Sequence, residues 1–114
     1  ILESKSDVQN IKGAIDSYNS FLSAYPNNLE AQSAIANVYL EESDFDNAIE
    51  NFAVALRNNP NEFRDYSNYG LALLRKGDLK KAEIAFKSAI GINQNDSMSY
   101  ANLGVVQMKQ KVNS

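Results

Sequence analysis

Cysteine and histidine chemistry is closed to this chain, because neither residue occurs among its 114. Thiolate nucleophiles, disulfide frameworks, histidine general bases and the usual zinc ligand sets are excluded together. The densest acidic run, Glu41-Glu42-Ser43-Asp44-Phe45-Asp46, has carboxylates enough to suggest calcium. It lacks the central Gly and the closing Glu of a calcium loop, and reads instead as a solvated corner between helices. No nucleophile elbow or phosphate-binding glycine loop is present. Asn95-Asp96-Ser97 is a formal N-glycosylation triplet, which matters only in a secreted eukaryotic chain. No catalytic, cofactor-binding or metal-binding residue is assigned, and the expectation is that the chain is not an enzyme.

Apolar residues make up 44% and charged residues 22%, the balance of one globular domain spanning residues 1–114. No apolar run approaches the roughly 18 residues of a membrane span, so membrane insertion is not expected. The net charge of −3 conceals an asymmetry: residues through Glu62 carry −7, and those from Phe63 onward carry +4. Such an imbalance can steer association, or can be no more than a solubilising surface whose signs segregate. An acidic total disfavours nucleic acid as a partner. The chain begins Ile1-Leu2-Glu3-Ser4-Lys5, which is no signal peptide, and reads as a piece of a longer protein from which a targeting segment would be missing. The compartment is therefore open, with the cytoplasm favoured over the alternatives.

The organising signal is self-similarity. Ala14, Ala48 and Ala82 are spaced 34 apart, and the same shift aligns Ile11, Phe45 and Leu79. It also aligns Tyr18, Phe52 and Phe86, then Leu22, Leu56 and Ile90, then Pro26 and Pro60. A second set recurs: Ile35, Tyr69 and Leu103; Ala36, Gly70 and Gly104.

Each unit reads as two helices. Over 29–42, Ile35, Val38 and Tyr39 form one apolar stripe at helical spacing. Ser43-Asp44 supplies a turn and an N-cap, and a second helix follows from about Asp44 to Asn58. Pro60 disfavours helix at Asn59 and stops it. In the next unit, over 63–76 and beyond, Lys76-Gly77-Asp78 makes the same break. The small residues Ala36, Gly70 and Gly104 are expected at close helix approaches facing Ala48 and Ala82.

The pattern resembles the tetratricopeptide repeat. Leu29–Glu62 carries that family's signature at Ala36, Tyr39, Ala48, Phe52, Ala55 and Pro60. Phe63–Asp96 carries it at Tyr66, Tyr69, Gly70, Gly77, Ala82, Phe86 and Ala89, with Gln94 where the family prefers Pro. Residues 97–114 resemble the first helix of a further repeat, through Tyr100, Leu103 and Gly104, and 7–28 the second helix of an earlier one. The resemblance implies an all-α, right-handed superhelical array of antiparallel helix pairs, about six helices in all. Gln107 stands where Tyr39 and Leu73 stand, so Ser97–Lys111 reads either as a cap or as part of a longer array.

The resemblance also implies that the first helices of successive repeats line a concave groove for an extended or helical protein segment. The residues expected to line it are Asn37, Arg64, Asn68, Leu71, Arg75, Met98, Asn102, Val105 and Lys109, with Glu30, Ser33, Leu40, Glu41, Ser67, Leu74, Ala101 and Met108 beside them. An Asn amide offers a donor and an acceptor to a peptide backbone, whatever the ligand's side chains. Leu74, Val105 and Met108 can equally be core. One subfamily grips acidic chaperone tails with two Lys, two Asn and an Arg. Those positions are here Ser33, Asn37, Asn68, Met98 and Asn102, so the cations are absent and that ligand is not expected.

The expected function is a non-catalytic protein-interaction module, scaffold or adaptor, needing no cofactor. Two alternatives stand beside it. One is a regulatory or substrate-docking region of a larger enzyme; the other is a homo-oligomer that stacks through its end repeats.

Overall fold

The computed structural model describes residues 5–113, and all six of the elements it describes are α-helices. They are α1 (Lys5–Ala24), α2 (Leu29–Glu41), α3 (Phe45–Asn58), α4 (Phe63–Lys76), α5 (Leu79–Ile92) and α6 (Ser97–Asn113). Residues 1–4, read above as no signal peptide, and Ser114 lie outside the described residues. Each helix packs on the next in the chain, and α4 also packs on both α2 and α6, which makes a linear array with α2, α4 and α6 in one layer.

Side-chain caps set the helix starts, and they too recur at 34. Asn28 accepts from the Ala31 N–H at 2.9 Å, and Glu62, its equivalent, accepts from the Arg64 N–H at 3.2 Å. Asp44 and Asp78 cap α3 and α5 in the same way. The corner between α4 and α5 is closed by Gly77 at φ 98°, whose N–H bonds the Leu73 and Leu74 carbonyls. The matching corner after α2 puts Ser43 at φ 60°, so a residue with a Cβ takes the left-handed conformation that glycine takes one repeat later.

At Gln94, where the repeat pattern would have Pro, the turn between α5 and α6 is made by a neighbouring side chain. Asn93 Oδ1 accepts from the Asn95 N–H at 3.1 Å, as Asn59 Oδ1 accepts from Asn61 at 3.4 Å. The asparagine side chain makes the turn, and proline is not needed to stop the helix.

The core runs along the array as two linked clusters. Ala36, Leu40, Ala48, Phe52 and Ala72 form one; Leu73, Ala82, Ala85, Phe86 and Val106 form the other, with Ile49, Tyr69 and Leu71 packed against both. Gly70 is buried because a Cβ there would lie 2.8 Å from Cε1 of Phe86. Its close partner is thus an aromatic ring. Gly104 departs from expectation: it is exposed, and a Cβ on it would meet nothing within 4 Å. No described helix follows α6 to cover that face.

Candidate functional site

Helix geometry brings most of the sequence-derived groove residues to one surface. Arg64, Asn68, Leu71 and Arg75 are spaced 4, 3 and 4 along α4, which puts them on one stripe. Met98, Asn102, Val105 and Lys109 repeat the stripe on α6, each 34 residues later, and Glu30, Ala34, Asn37 and Glu41 occupy it on α2. Because α2, α4 and α6 pack in one layer, the three stripes form rows: Glu30 with Arg64 and Met98, and Ala34 with Asn68 and Asn102. The other two rows are Asn37 with Leu71 and Val105, and Glu41 with Arg75 and Lys109.

Between α2 and α4 the surface sinks into an open groove of about 710 Å³ lined by Glu30, Ser33, Asn37, Glu62, Arg64, Asp65 and Asn68, among others. Asn37 and Asn68 are half-buried in it, and Asn68 Nδ2 donates to Asn37 Oδ1 at 3.1 Å. That bond leaves Asn37 with its amide donors and Asn68 with its carbonyl oxygen. The equivalent diagonal one repeat on is Leu71 to Asn102. Asn102 therefore has no amide opposite it, and among the described residues its side chain has no hydrogen-bond partner.

The remaining predicted residues do not join this groove. Leu71 is half-buried and packs on both core clusters, so it is in large part a core residue. Met98 and Val105 are exposed on α6. Arg75 and Lys109 line a separate cavity of about 560 Å³, with Leu74, Met108 and Val112, where α4 and α6 end. Arg64 is exposed, lies 3.6 Å from the Glu62 carboxylate and covers the Phe63 ring at 4.9 Å.

Sequence reasoning missed a polar ladder beneath the stripe. Ser33 Oγ donates to Asp65 Oδ2 at 2.7 Å, joining α2 to α4. One repeat on, Ser99 Oγ lies 3.0 Å from Ser67 Oγ and donates to Asp96 Oδ2 at 2.6 Å, joining α4 to α6. Ser67 and Leu40, both expected in the groove, are instead buried, Leu40 within the first core cluster. The signal was present: Ser33 and Ser67 recur at 34, as do Asp65 and Ser99. It was hidden because the bonded partners are 32 apart, a register that only the stacking of neighbouring helices defines.

Asp65 is 5% exposed, and burial pushes its carboxyl pKa up. The Ser33 hydrogen bond works against that shift, and the nearby Glu62 carboxylate adds to it. Folding therefore takes up a proton between the ordinary carboxylate pKa and the raised one, and stability contributed by Asp65 falls as pH rises through that window. Asp65→Asn is expected to be at least as stable as the parent at neutral pH. It should lose any advantage below the ordinary carboxylate pKa, as read from chemical denaturation at a series of pH values. A variant much less stable at neutral pH would show that the charged form is the one the fold favours.

Among the described residues no group of three His, Cys, Asp or Glu could hold a metal ion. No described helix is long and apolar enough to cross a membrane. The acidic corner is occupied by its own chain: Asp44 bonds Asn47, and Asp46 pairs with Lys76.

Repeated helix pairs, a shared layer of first helices and a groove built on that layer define an α-solenoid. A family model described as tetratricopeptide repeat (TPR) matches residues 4–63 and again 33–97, and the chain belongs to that family. No curated protein matches it in sequence. Among solved structures it resembles MamA, with TM-score 0.86 and 24% identity over 97% of this chain and 67% of that one. It also resembles the first TPR domain of Spaghetti (RPAP3), bound to the HSP90 peptide SRMEEVD, with TM-score 0.84 and 21% identity over 95% and 84%. The TPR domain of Sgt2 from Aspergillus fumigatus follows, at 0.82 and 25% identity over 93% and 72%. At 24% and 21% identity, the likeness to MamA and RPAP3 is one of fold.

Proposed function

We propose that the chain is a non-catalytic protein-interaction module that binds a segment of a partner protein along the stripes of α2, α4 and α6. The observation that carries this reading is the open groove between α2 and α4, floored by half-buried Asn37 and Asn68 with unused hydrogen-bonding capacity. Asn102 continues the amide row with both its donor and its acceptor available. Amides held in this way can pair with a ligand's peptide groups. Val105, Met98 and the exposed edge of Leu71 offer apolar seats, and Met adapts to irregular ones.

Charge sets the polarity of the ligand. Glu30, Glu62 and Asp65 line the groove between α2 and α4, with Arg64 held against Glu62 at its edge, whereas Arg75 and Lys109 stand where α4 and α6 end. The bound segment should place its acidic residues toward Arg75 and Lys109. Exposed cations of this kind act more on association rate than on affinity. The SRMEEVD peptide held by the RPAP3 domain is a poor model for that segment. Ser33, Met98 and Asn102 supply no cation for its carboxylates, and Ser33 is bonded to a carboxylate of the groove itself.

Selection of peptides from a displayed random library against the immobilised chain supplies the probe. Asn68→Ala combined with Asn102→Ala is expected to weaken the selected peptide by about 1–3 kcal/mol, the cost of stranding a desolvated polar partner. Asn102→Ala alone should leave Tm unchanged. Lys80→Ala with Lys87→Ala, on the exposed side of α5, should leave binding unchanged. Loss of binding in the lysine pair and not in the asparagine pair would move the site to the outer surface.

A further inference from the structure

Asp65 occupies a position that the repeat otherwise fills with a small neutral residue. Shifted by 34 in either direction, the same site is Ala31 on α2 and Ser99 on α6, both buried. A carboxylate held at 5% exposure carries a desolvation cost that alanine and serine avoid. Burial first, and Glu62 after it, push its carboxyl pKa up, while the Ser33 hydroxyl works the other way. The chain does not neutralise this charge itself: among the described residues Asp65 joins no ion pair.

Its two oxygens are used differently. Oδ2 accepts from Ser33 Oγ at 2.7 Å, whereas among the described residues Oδ1 has no hydrogen-bond partner. No side-chain oxygen or nitrogen shut away from solvent among those residues lacks a partner, so Oδ1 reaches the open space of the groove that Asp65 lines. One turn further along α4, Asn68 brings its unused carbonyl oxygen to the same groove, and Glu30 and Glu62 also line it. Arg64, the cation of that lining, is held away at the rim: it is exposed, 3.6 Å from Glu62 and over the Phe63 ring.

Given the ligand groove proposed above, on which this depends, we propose that the space between α2 and α4 seats a Lys or Arg side chain of the bound segment, its charged head donating to Asp65 Oδ1 and Asn68 Oδ1. Such a head gives Oδ1 a donor, offsets the buried charge and is attracted by Glu30 and Glu62 on the same lining. A neutral or acidic side chain would leave all three carboxylates uncompensated. The aliphatic stem of Lys or Arg can lie against Leu29 and Ala34, which line the groove as well. With Arg75 and Lys109 beyond it, the array then selects a segment whose basic residue sits between α2 and α4 and whose acidic residues lie toward the end of α6.

Peptides selected from the displayed library supply the probe, synthesised with acetylated N-termini so that only side chains carry positive charge. They should share one Lys or Arg, and replacing it with norleucine should weaken binding about tenfold or more. Asp65→Asn should weaken the unaltered peptide to the same degree. The two changes together should cost little more than either alone, because both remove one contact. Should the amide disturb α4, Asp65→Ser puts the residue of the equivalent α6 site there and repeats the measurement. Selected peptides without a shared basic residue overturn the proposal, as do peptide and protein changes whose effects simply add. In either event Asn68→Ala with Asn102→Ala separates the two readings. Peptides still weakened by that pair keep the groove as the site and remove only the cation seat; peptides indifferent to it, or a library that yields no binder, remove both.

Discussion

Phe86→Ala should lower the stability of the folded chain by about 3–5 kcal/mol in urea denaturation. The ring is fully buried, it lies against Gly70, and it shares a cluster with Leu73, Ala82, Ala85 and Val106. Those residues come from α4, α5 and α6, so one side chain joins three helices of a linear array. Removing it deletes buried apolar area and leaves a cavity that rigid neighbouring helices cannot fill. Stability of a domain this size is about 5–15 kcal/mol, so the loss should be visible as partial unfolding at physiological temperature. A loss under about 1 kcal/mol would mean that α4–α6 do not depend on this ring.

Gly70→Val should be destabilising toward the upper end of the roughly 1–3 kcal/mol typical of overpacking. The first carbon of any side chain there would lie 2.8 Å and 2.9 Å from Cε1 and Cδ1 of Phe86, and that buried ring has nowhere to retreat. Gly104→Ala should do the opposite. It adds a methyl to an exposed helix position with nothing within 4 Å, where Ala is favoured over Gly by up to about 1 kcal/mol. The two glycines are equivalent in the repeat and opposite in effect. Thermal melts at concentrations too low for association should separate them; equal losses at both positions would mean that α6 is covered in the monomer.

That contrast shows where the sequence is informative and where it is not. The starts of α2 to α6 were legible to within a residue because caps such as Asn28, Asp44 and Asp78 act on their own backbone a few residues on, whereas the helix expected within 7–28 runs Lys5–Ala24. Buried positions such as Phe52 and Phe86 were legible because each repeat packs on neighbours of the same kind. Gly104 departs from its expected close approach because, among the described residues, no helix packs against that face of α6. Leu71 sits on the groove stripe and in the core at once, and spacing cannot divide a side chain between two faces. The Asn37–Asn68 bond and the Ser33–Asp65 bond join residues of different helices, whose relative slide no single-helix pattern records.

Ligand contact along the stripes of α2, α4 and α6 has a direct readout. Titrating the isotope-labelled chain with a library-selected peptide, and following backbone amide resonances, tests it most directly. Shifts should concentrate at Asn37, Asn68, Leu71, Asn102 and Val105, with Lys80, Ile84 and Lys87 unmoved. Shifts concentrated on α3 and α5, with the amide row unmoved, would contradict it.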